Sequence, residues 1–327
     1  MIGTPSQLRV EDSLTLLPLH SAHPEIKIIT PSSPDFSSFH QEYNTSNTVV
    51  PPAVILPSNV DQLVTIIKHC TFQSPPIHFT IRGGGHDAYG RNTLAGVAQL
   101  DLQLLKDITV SEPDPVSHDR IVTISPGVTG IEMQRALDAL GLAAPTGWCG
   151  TVGVIGWACG GGYGLANGIW GLGVDNVLGA KLITATGKMV DTDEDAELLW
   201  ALRGAGLGNF GVISELRLKT YPKPRYLGGF LIFPLAEGES VLGEFQRMND
   251  EEGIPDNFSG ELTMNTAQFG PTINFLFSWI SDGDNVDAGW KYLEKLKSLG
   301  SVILNTVAES KILRYLFLLF PSSQKYI

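Results

Sequence analysis

Ile81-Arg82-Gly83-Gly84-Gly85-His86-Asp87 closes a run, Ile77-His78-Phe79-Thr80-Ile81, whose apolar side chains alternate as they do along a half-buried strand. Three successive glycines have no side chains to hold a ligand off the main chain. They also reach φ > 0 without strain, so neighbouring N–H groups can turn toward one anion. The histidine that follows is held beside whatever the loop binds. The same letters also describe a tight turn with an ordinary surface histidine, since glycine turns are common.

Downstream, Gly147-Trp148-Cys149-Gly150-Thr151-Val152-Gly153-Val154-Ile155-Gly156-Trp157-Ala158-Cys159-Gly160-Gly161-Gly162-Tyr163-Gly164 is glycine-dense and uncharged. Such density is costly in backbone entropy and points to a ligand lying against the main chain. A long flat molecule with a diphosphate would be held there by N–H donors. Two other nucleotide motifs fail. Gly206-Leu207-Gly208-Asn209-Phe210-Gly211 fits GxGxxG, but a helix is expected before it and a strand after, the reverse of a dinucleotide fingerprint. No Gly-Lys-Ser/Thr follows a glycine run, which excludes a P-loop.

The rest of the chain frames these two stretches. Ala53 to Leu56 follows Pro51-Pro52 and is expected as an edge-like strand. Ser58 with Asp61 resembles a capping box for an amphipathic helix running to Cys70. Strands are expected at Val97–Leu102 and Ile121–Ser125. Thr129 and Glu132 form a capping box for a helix with Met133, Leu137 and Leu140 inward, ending at Gly141. Val177–Thr184 and Lys188–Val190 read as a hairpin around Thr186-Gly187. Thr192 opens a helix closing near Gly204, and Gly211–Tyr221 is a strand. Tyr221-Pro222-Lys223-Pro224 marks a boundary. Beyond it come strands at Leu227–Phe233, Gly260–Met264 and Thr272–Trp279, helices at Glu239–Glu251 and Val286–Leu299, and an amphipathic segment, Ala308–Phe320.

Composition narrows the function. The 327 residues are 43% hydrophobic and 17% charged, as in globular chains. Net charge is −12, from 22 Lys+Arg and 34 Asp+Glu, with no basic run, so no nucleic-acid or anionic-membrane partner is expected. No apolar run is long enough to span a bilayer. Cys70, Cys149 and Cys159 show neither CxxC nor zinc spacing, and no metal is expected. No signal peptide is visible, which predicts a cytoplasmic protein, or a secreted one if an N-terminal segment is missing.

Together, the Gly-Gly-His loop and the stretch from Cys149 to Gly164 resemble the FAD-binding (PCMH-type) domain of the vanillyl-alcohol-oxidase superfamily, in its berberine-bridge-enzyme-like branch. The pattern Cys-x-Thr-Val-Gly-Val-x-Gly-x-x-x-Gly-Gly-Gly-Tyr-Gly is matched at every fixed position. Gly90-Arg91, Leu100-Asp101-Leu102, Gly173-Val174-Asp175-Asn176-Val177 and Gly208-Asn209-Phe210-Gly211-Val212-Ile213 add to the likeness. The resemblance implies an α+β fold. A two-subdomain FAD-binding domain would occupy residues 47–222, after an N-terminal extension (1–46) and before a partial α+β substrate domain (223–327).

It further implies covalent FAD attached through His86, with Cys149 either a second attachment point or a packing residue. Arg82, Gly83, Gly84, Gly85, Asp87 and Gly90 would lie near the pyrophosphate or the ring edge. Thr151, Val152, Gly153, Gly156, Gly161, Tyr163 and Gly164 would offer main-chain contacts, and Gly211, Val212 and Ile213 would flank adenine and ribose unless they only pack a strand. The implied activity is an oxygen-dependent oxidoreductase of secondary metabolism that takes hydride from a small organic substrate, beside an alcohol or amine, with O2 as acceptor. No catalytic base is named. Trp157 stands where many plant relatives have histidine, and nothing after Ile303 resembles their returning Asn-Tyr-x-Asn segment. The expectation is a substrate sheet with an exposed apolar face and unpaired edges. A non-catalytic flavin-binding remnant, or a truncated product lacking the C-terminal catalytic segment, is the alternative.

Overall fold

The computed structural model describes residues 16–40, 42–267, 270–281, 283 and 286–310. The chain divides into two compact units, each assembled from separate stretches. The first holds the described residues through Ala136, then Thr151–Gly162 and Val177–Thr220. The second holds Leu137–Gly150, Tyr163–Asn176 and the described residues from Tyr221 onward.

In the first unit, short helices α1 (Leu17–Ala22) and α2 (Phe36–Phe39) flank strand β1 (Lys27–Ile29). Strand β2 (Val54–Leu56), helix α3 (Val60–Phe72), strand β3 (Phe79–Arg82) and strand β4 (Ala98–Asp101) complete a sheet in the order β1-β2-β4-β3. β2 is therefore interior rather than an edge. It pairs antiparallel with β1 and parallel with β4, and its three side chains are fully buried. Pro51 and Pro52 precede the strand, so they remove no ladder hydrogen bond. Helix α3 starts one residue later than the Ser58 box implies: Asn59 is the cap, accepting from Gln62 N at 2.9 Å. Its inner face, Leu63, Ile66, Ile67 and Cys70, packs with Ile55, Ala98 and Leu100. Each large aliphatic side chain buried there stabilises the fold by roughly 1.5–3 kcal/mol.

A second, antiparallel sheet in this unit is built from β5 (Ile108–Val110) and β6 (Ile121–Ile124). Next along the chain come helix α4 (Gly130–Asp138), strand β7 (Leu142–Ala143, of the second unit) and helix α5 (Val154–Cys159). The second unit then contributes helix α6 (Asn167–Trp170). Strands β8 (Val177–Ile183) and β9 (Met189–Asp191), helix α7 (Ala196–Ala205) and strand β10 (Val212–Lys219) follow. The sheet order is β5-β6-β10-β8-β9, and β8 and β9 form the hairpin around Thr186-Gly187. The Thr129 box holds: both Thr129 N and Oγ1 donate to Glu132 Oε2, at 2.8 and 2.7 Å. Met133 and Leu137 are fully buried, but Leu140 is 49% exposed because the helix ends before it. GxGxxG residues 206–211 join α7 to β10, helix before strand.

In the second unit β11 (Tyr221–Pro222) pairs with β7. β12 (Tyr226–Pro234), helix α8 (Gly238–Glu252), β13 (Phe258–Ala267), β14 (Gly270–Ile280), helix α9 (Asp287–Lys297), β15 (Leu304–Asn305) and β16 (Ala308–Ser310) follow. The sheet runs β13-β14-β12-β15, with β16 also on β12. On its apolar face Leu231, Phe233, Phe275 and Phe277 pack with Val241 and Met248 of α8 and Leu293 and Leu296 of α9. Among the described residues β13 pairs only with β14, and on the same face as Phe275 and Ile273 its Leu262 and Met264 are exposed at 38% and 56%. The expected amphipathic segment begins as β16; residues 311–320 lie outside the described residues. Among the described residues no helix is long and apolar enough to cross a membrane.

Candidate functional site

β3 places Thr80 and Arg82 on its buried side, and the chain then turns through the three glycines. Arg82 points inward. Its Nη1 donates to Asp101 Oδ2 at 2.7 Å, and its Nε lies 3.4 Å from Glu42 Oε1. Strand register explains the pairing, since Arg82 and Asp101 end adjacent parallel strands as direct partners. Burial pushes the Asp101 carboxyl up while the Arg82 charge pulls it down, and burial prevails. The guanidinium walls the loop from below. Gly85 has φ +69°, and a Cβ there would meet Arg82 Nη2 at 2.5 Å.

The two glycine stretches meet backbone to backbone. A Cβ on Gly84 would overlap Gly153 N and stand 2.8 Å from Thr151 O; one on Gly153 would lie 2.7 Å from Gly84 N. The Thr151 stretch is itself fastened by Gly130 N donating to Val152 O at 2.9 Å and Val154 N donating to Val128 O at 3.0 Å. Gly83 has only an ordinary neighbour, with Pro126 O at 3.5 Å from its built Cβ. Thus Gly84, Gly85 and Gly153 are glycines because the protein fills the space beside them.

Gly156 and Gly161 differ. An added Cβ at either meets nothing within 4 Å, so bare main chain faces open space along α5 and just after it.

His86 stands at the edge of this arrangement, partly buried. Its Nε2 is 2.8 Å from Thr151 Oγ1, and its ring stacks on Tyr43 with centroids 4.2 Å apart at 21°. Burial, and then the Arg82 charge, pull the imidazole down to about 4. The ring is therefore neutral at neutral pH and keeps a lone pair. Nε2 meets Thr151, and the ring's other nitrogen, Nδ1, points away from that contact.

Asp87 turns away to close the next turn, accepting from Arg91 N at 2.5 Å and Arg91 Nε at 2.9 Å. Gly90, at φ +69°, packs on Asn47, whose Nδ2 would be 2.7 Å from a Cβ. Arg82 and Asp87 are thus engaged within the protein. Gly211 has φ +147° and abuts Ile183 O, while Val212 and Ile213 are buried and pair with Ile183 and Leu182, so their side chains pack the sheet.

Cys149, Tyr163 and Gly164 belong to the second unit. Cys149 is partly buried and is in no disulfide. The Trp148 ring stacks on Tyr163, centroids 5.9 Å apart at 20°, and Tyr163 is 53% exposed. Gly164 N donates to Asn167 Oδ1 at 3.0 Å. Cys70 and Cys159 are core thiols, pushed up by burial to about 11 and about 12.

Three residues escaped the sequence. Glu42 and Asp101 flank Arg82; the signal for Asp101 was a buried arginine ending a strand beside a second strand ending in aspartate. Tyr43 had no signal, because it lies in an irregular stretch.

Main chain open at Gly156 and Gly161 fits FAD, whose phosphates take N–H donors, and the neutral imidazole of His86 is a nucleophile of the kind a covalent flavin link requires. Among the described residues no group of three His, Cys, Asp or Glu side chains could hold a metal ion.

Residues 51–193 match the FAD binding domain family. The FAD-linked oxidoreductase aurO of Gibberella zeae is 35% identical over 302 residues, covering 92% of this chain and 58% of that protein. The (R)-6-hydroxynicotine oxidase of Paenarthrobacter nicotinovorans is 30% identical over 247 residues, 71% of this chain and 50% of that one. The chain thus spans little more than half the length of these curated relatives. The crystal structure of 6-hydroxy-D-nicotine oxidase from Arthrobacter nicotinovorans superposes with a TM-score of 0.79 at 25% identity, covering 90% of this chain and 63% of that one. The chain thus carries an FAD-binding domain, and it is similar to FAD-linked oxidoreductases, to berberine-bridge-enzyme-like proteins and, in fold, to oxidases of the vanillyl-alcohol-oxidase/PCMH type.

Proposed function

We propose that this chain joins FAD covalently through His86 and uses it to oxidise a small organic substrate at a C–H beside an alcohol or amine. O2 is the final acceptor, H2O2 the product, and secondary metabolism the setting. FAD supplies the two-electron acceptor when bound. The protein's part is to hold it along Thr151, Val152, Gly153, Gly156 and Gly161 and to present a reactive nitrogen. One observation carries the proposal: a neutral imidazole fixed at Nε2 by Thr151, the residue that leads into a stretch where nothing lies within 4 Å of a Cβ built at Gly156 or Gly161. Cys149, a partly exposed thiol in no disulfide, is proposed as a second attachment point. One relative, by name, oxidises (R)-6-hydroxynicotine, which supports the small-molecule class.

The test is the absorbance and intact mass of acid-denatured wild type, His86→Ala and Cys149→Ala. Flavin mass that survives either single substitution and vanishes in the double variant establishes two attachments. Loss in His86→Ala alone makes Cys149 a packing residue. A colourless wild type overturns covalent attachment. H2O2 release is then followed with alcohols, amines and sugars; flavin without turnover of any donor favours a non-catalytic role.

A further inference from the structure

A hydrogen bond at Nε2 fixes one point of the His86 ring. The imidazole can still pivot about that point, because χ2 of histidine is a broad torsion. A second contact, with a plane, is needed to set the direction in which Nδ1 points. Tyr43 supplies that plane, stacked 4.2 Å from the imidazole at 21°.

Tyr43 is not a loose surface ring, although it is 50% exposed. Its own N–H donates to Gly85 O at 3.0 Å, tying it to the loop that carries His86. On one side, Asn44 Nδ2 donates to Ala88 O at 2.9 Å. On the other, the Glu42 carboxylate is anchored by Asn92 Nδ2 at 2.7 Å, Thr93 Oγ1 at 2.9 Å and Gln99 Nε2 at 3.2 Å, beside Arg82. Residues 42–44 therefore form a strap over the histidine loop, with a buried anchor before the tyrosine and a main-chain tie after it.

We propose that Tyr43 is a positioning residue for His86, holding the imidazole plane in which Nδ1 is presented for attachment. The proposal rests on covalent linkage through His86 for its consequence, but not for its geometry. The charged groups around the ring are Arg82, with Glu42 and Asp101 beyond it. None is altered in the test.

The full chain is produced without riboflavin as wild type, Tyr43→Phe and Tyr43→Ala. The His86 ring protons are titrated by NMR, and each protein is then mixed with FAD. Covalent incorporation is timed by fluorescence of the denatured chain. Tyr43→Ala is expected to slow incorporation roughly tenfold, the scale of one lost aromatic contact and a misplaced reacting group. It is also expected to move the His86 titration back toward the ordinary histidine range as water reaches the ring. Tyr43→Phe keeps the plane and should match wild type in both. Wild-type behaviour of Tyr43→Ala in rate and titration overturns the proposal. So does equal slowing in Phe and Ala, which would place the effect on the hydroxyl. If wild type binds FAD only reversibly, covalent linkage fails and the titration decides: a shift in Ala but not Phe upholds the positioning role, and no shift overturns it.

Discussion

The imidazole of His86 has a hydroxyl at Nε2, a phenol ring against one face and a guanidinium behind its loop. Partial burial and the Arg82 charge both disfavour its protonated form, so its folded pKa, about 4, lies below the unfolded value. An unfolded histidine binds its proton near pH 6.5. Between those values the unfolded chain holds more protons than the folded one, and stability must fall as pH falls. Above pH 7 both states are neutral there and the contribution is complete. Discounted for the partial exposure of the ring, the loss is on the order of 2 kcal/mol. His86→Gln keeps a polar partner for Thr151 and removes the titration. Urea unfolding of both proteins, produced without flavin, is expected to give parallel stability above pH 7 and a steeper decline for wild type from about pH 6.5 to about 4. His40, also lowered by burial, titrates in both proteins and cancels. Equal slopes would mean that His86 is hydrated in solution.

At the scale of elements, the glycines of the two motifs separate into those that pack protein on protein and those that leave main chain bare. Gly84 lies against Gly153 N and Thr151 O, so Gly84→Ala must push the β3 loop off the stretch leading into α5. A cost of roughly 1–3 kcal/mol follows from such overpacking. Gly156 sits within α5 with open space beside it, so Gly156→Ala should stabilise the flavin-free chain by roughly 0.5–1 kcal/mol. The same methyl would stand between main chain and flavin. Gly84→Ala is therefore expected to lower the melting temperature with and without FAD. Gly156→Ala should raise it without FAD while lowering the amount of FAD that the chain takes up when FAD is added. Wild-type FAD uptake by Gly156→Ala would place the cofactor elsewhere.

Local chemistry made much of this legible in advance. The Thr129 box, the hairpin at Thr186-Gly187 and the helix-then-strand context of Gly206–Gly211 depend on near neighbours in sequence, and they appear as expected. The interior place of β2 does not depend on neighbours, because it is set by β1 and β4 from distant parts of the chain. Nor could the letters say that Gly84 and Gly153 are glycines for each other. Tyr43 was illegible for the same reason: its partner lies across a loop, and no periodicity marks it.

At the scale of the whole molecule, the second unit is a composite of three chain stretches, and this bears on where the protein can be cut. Tyr221-Pro222-Lys223-Pro224 looks like a linker, yet stretches before it are packed by stretches after it within the second unit. Ala166 is buried with Tyr226 and Ile280, and Ile169 and Trp170 pack on that cluster. Gly168 fits so closely against the Asp256 carbonyl that a Cβ would overlap it. Trp170 also stacks on Tyr221, centroids 4.6 Å apart at 6°, and Tyr221 Oη donates to Asn176 Oδ1 at 2.7 Å. A fragment ending at residue 222 keeps Ala166, Ile169 and Trp170 but loses Tyr226, Asp256 and Ile280. Apolar side chains without partners favour association and loosen the packing that remains. The fragment is expected to bind a hydrophobic dye, to lose near-ultraviolet dichroism from its tryptophans, and to retain less FAD than the 327-residue chain at equal concentration. Gly168→Val in the full chain should show the same signs in milder form, since it wedges one of these contacts apart and leaves the rest. A fragment as dye-silent and as dichroic as the full chain would mean that the stretches before residue 222 hold their shape alone. The Trp170–Tyr221 stack and the Tyr221–Asn176 hydrogen bond, both retained in the fragment, would then be what holds them.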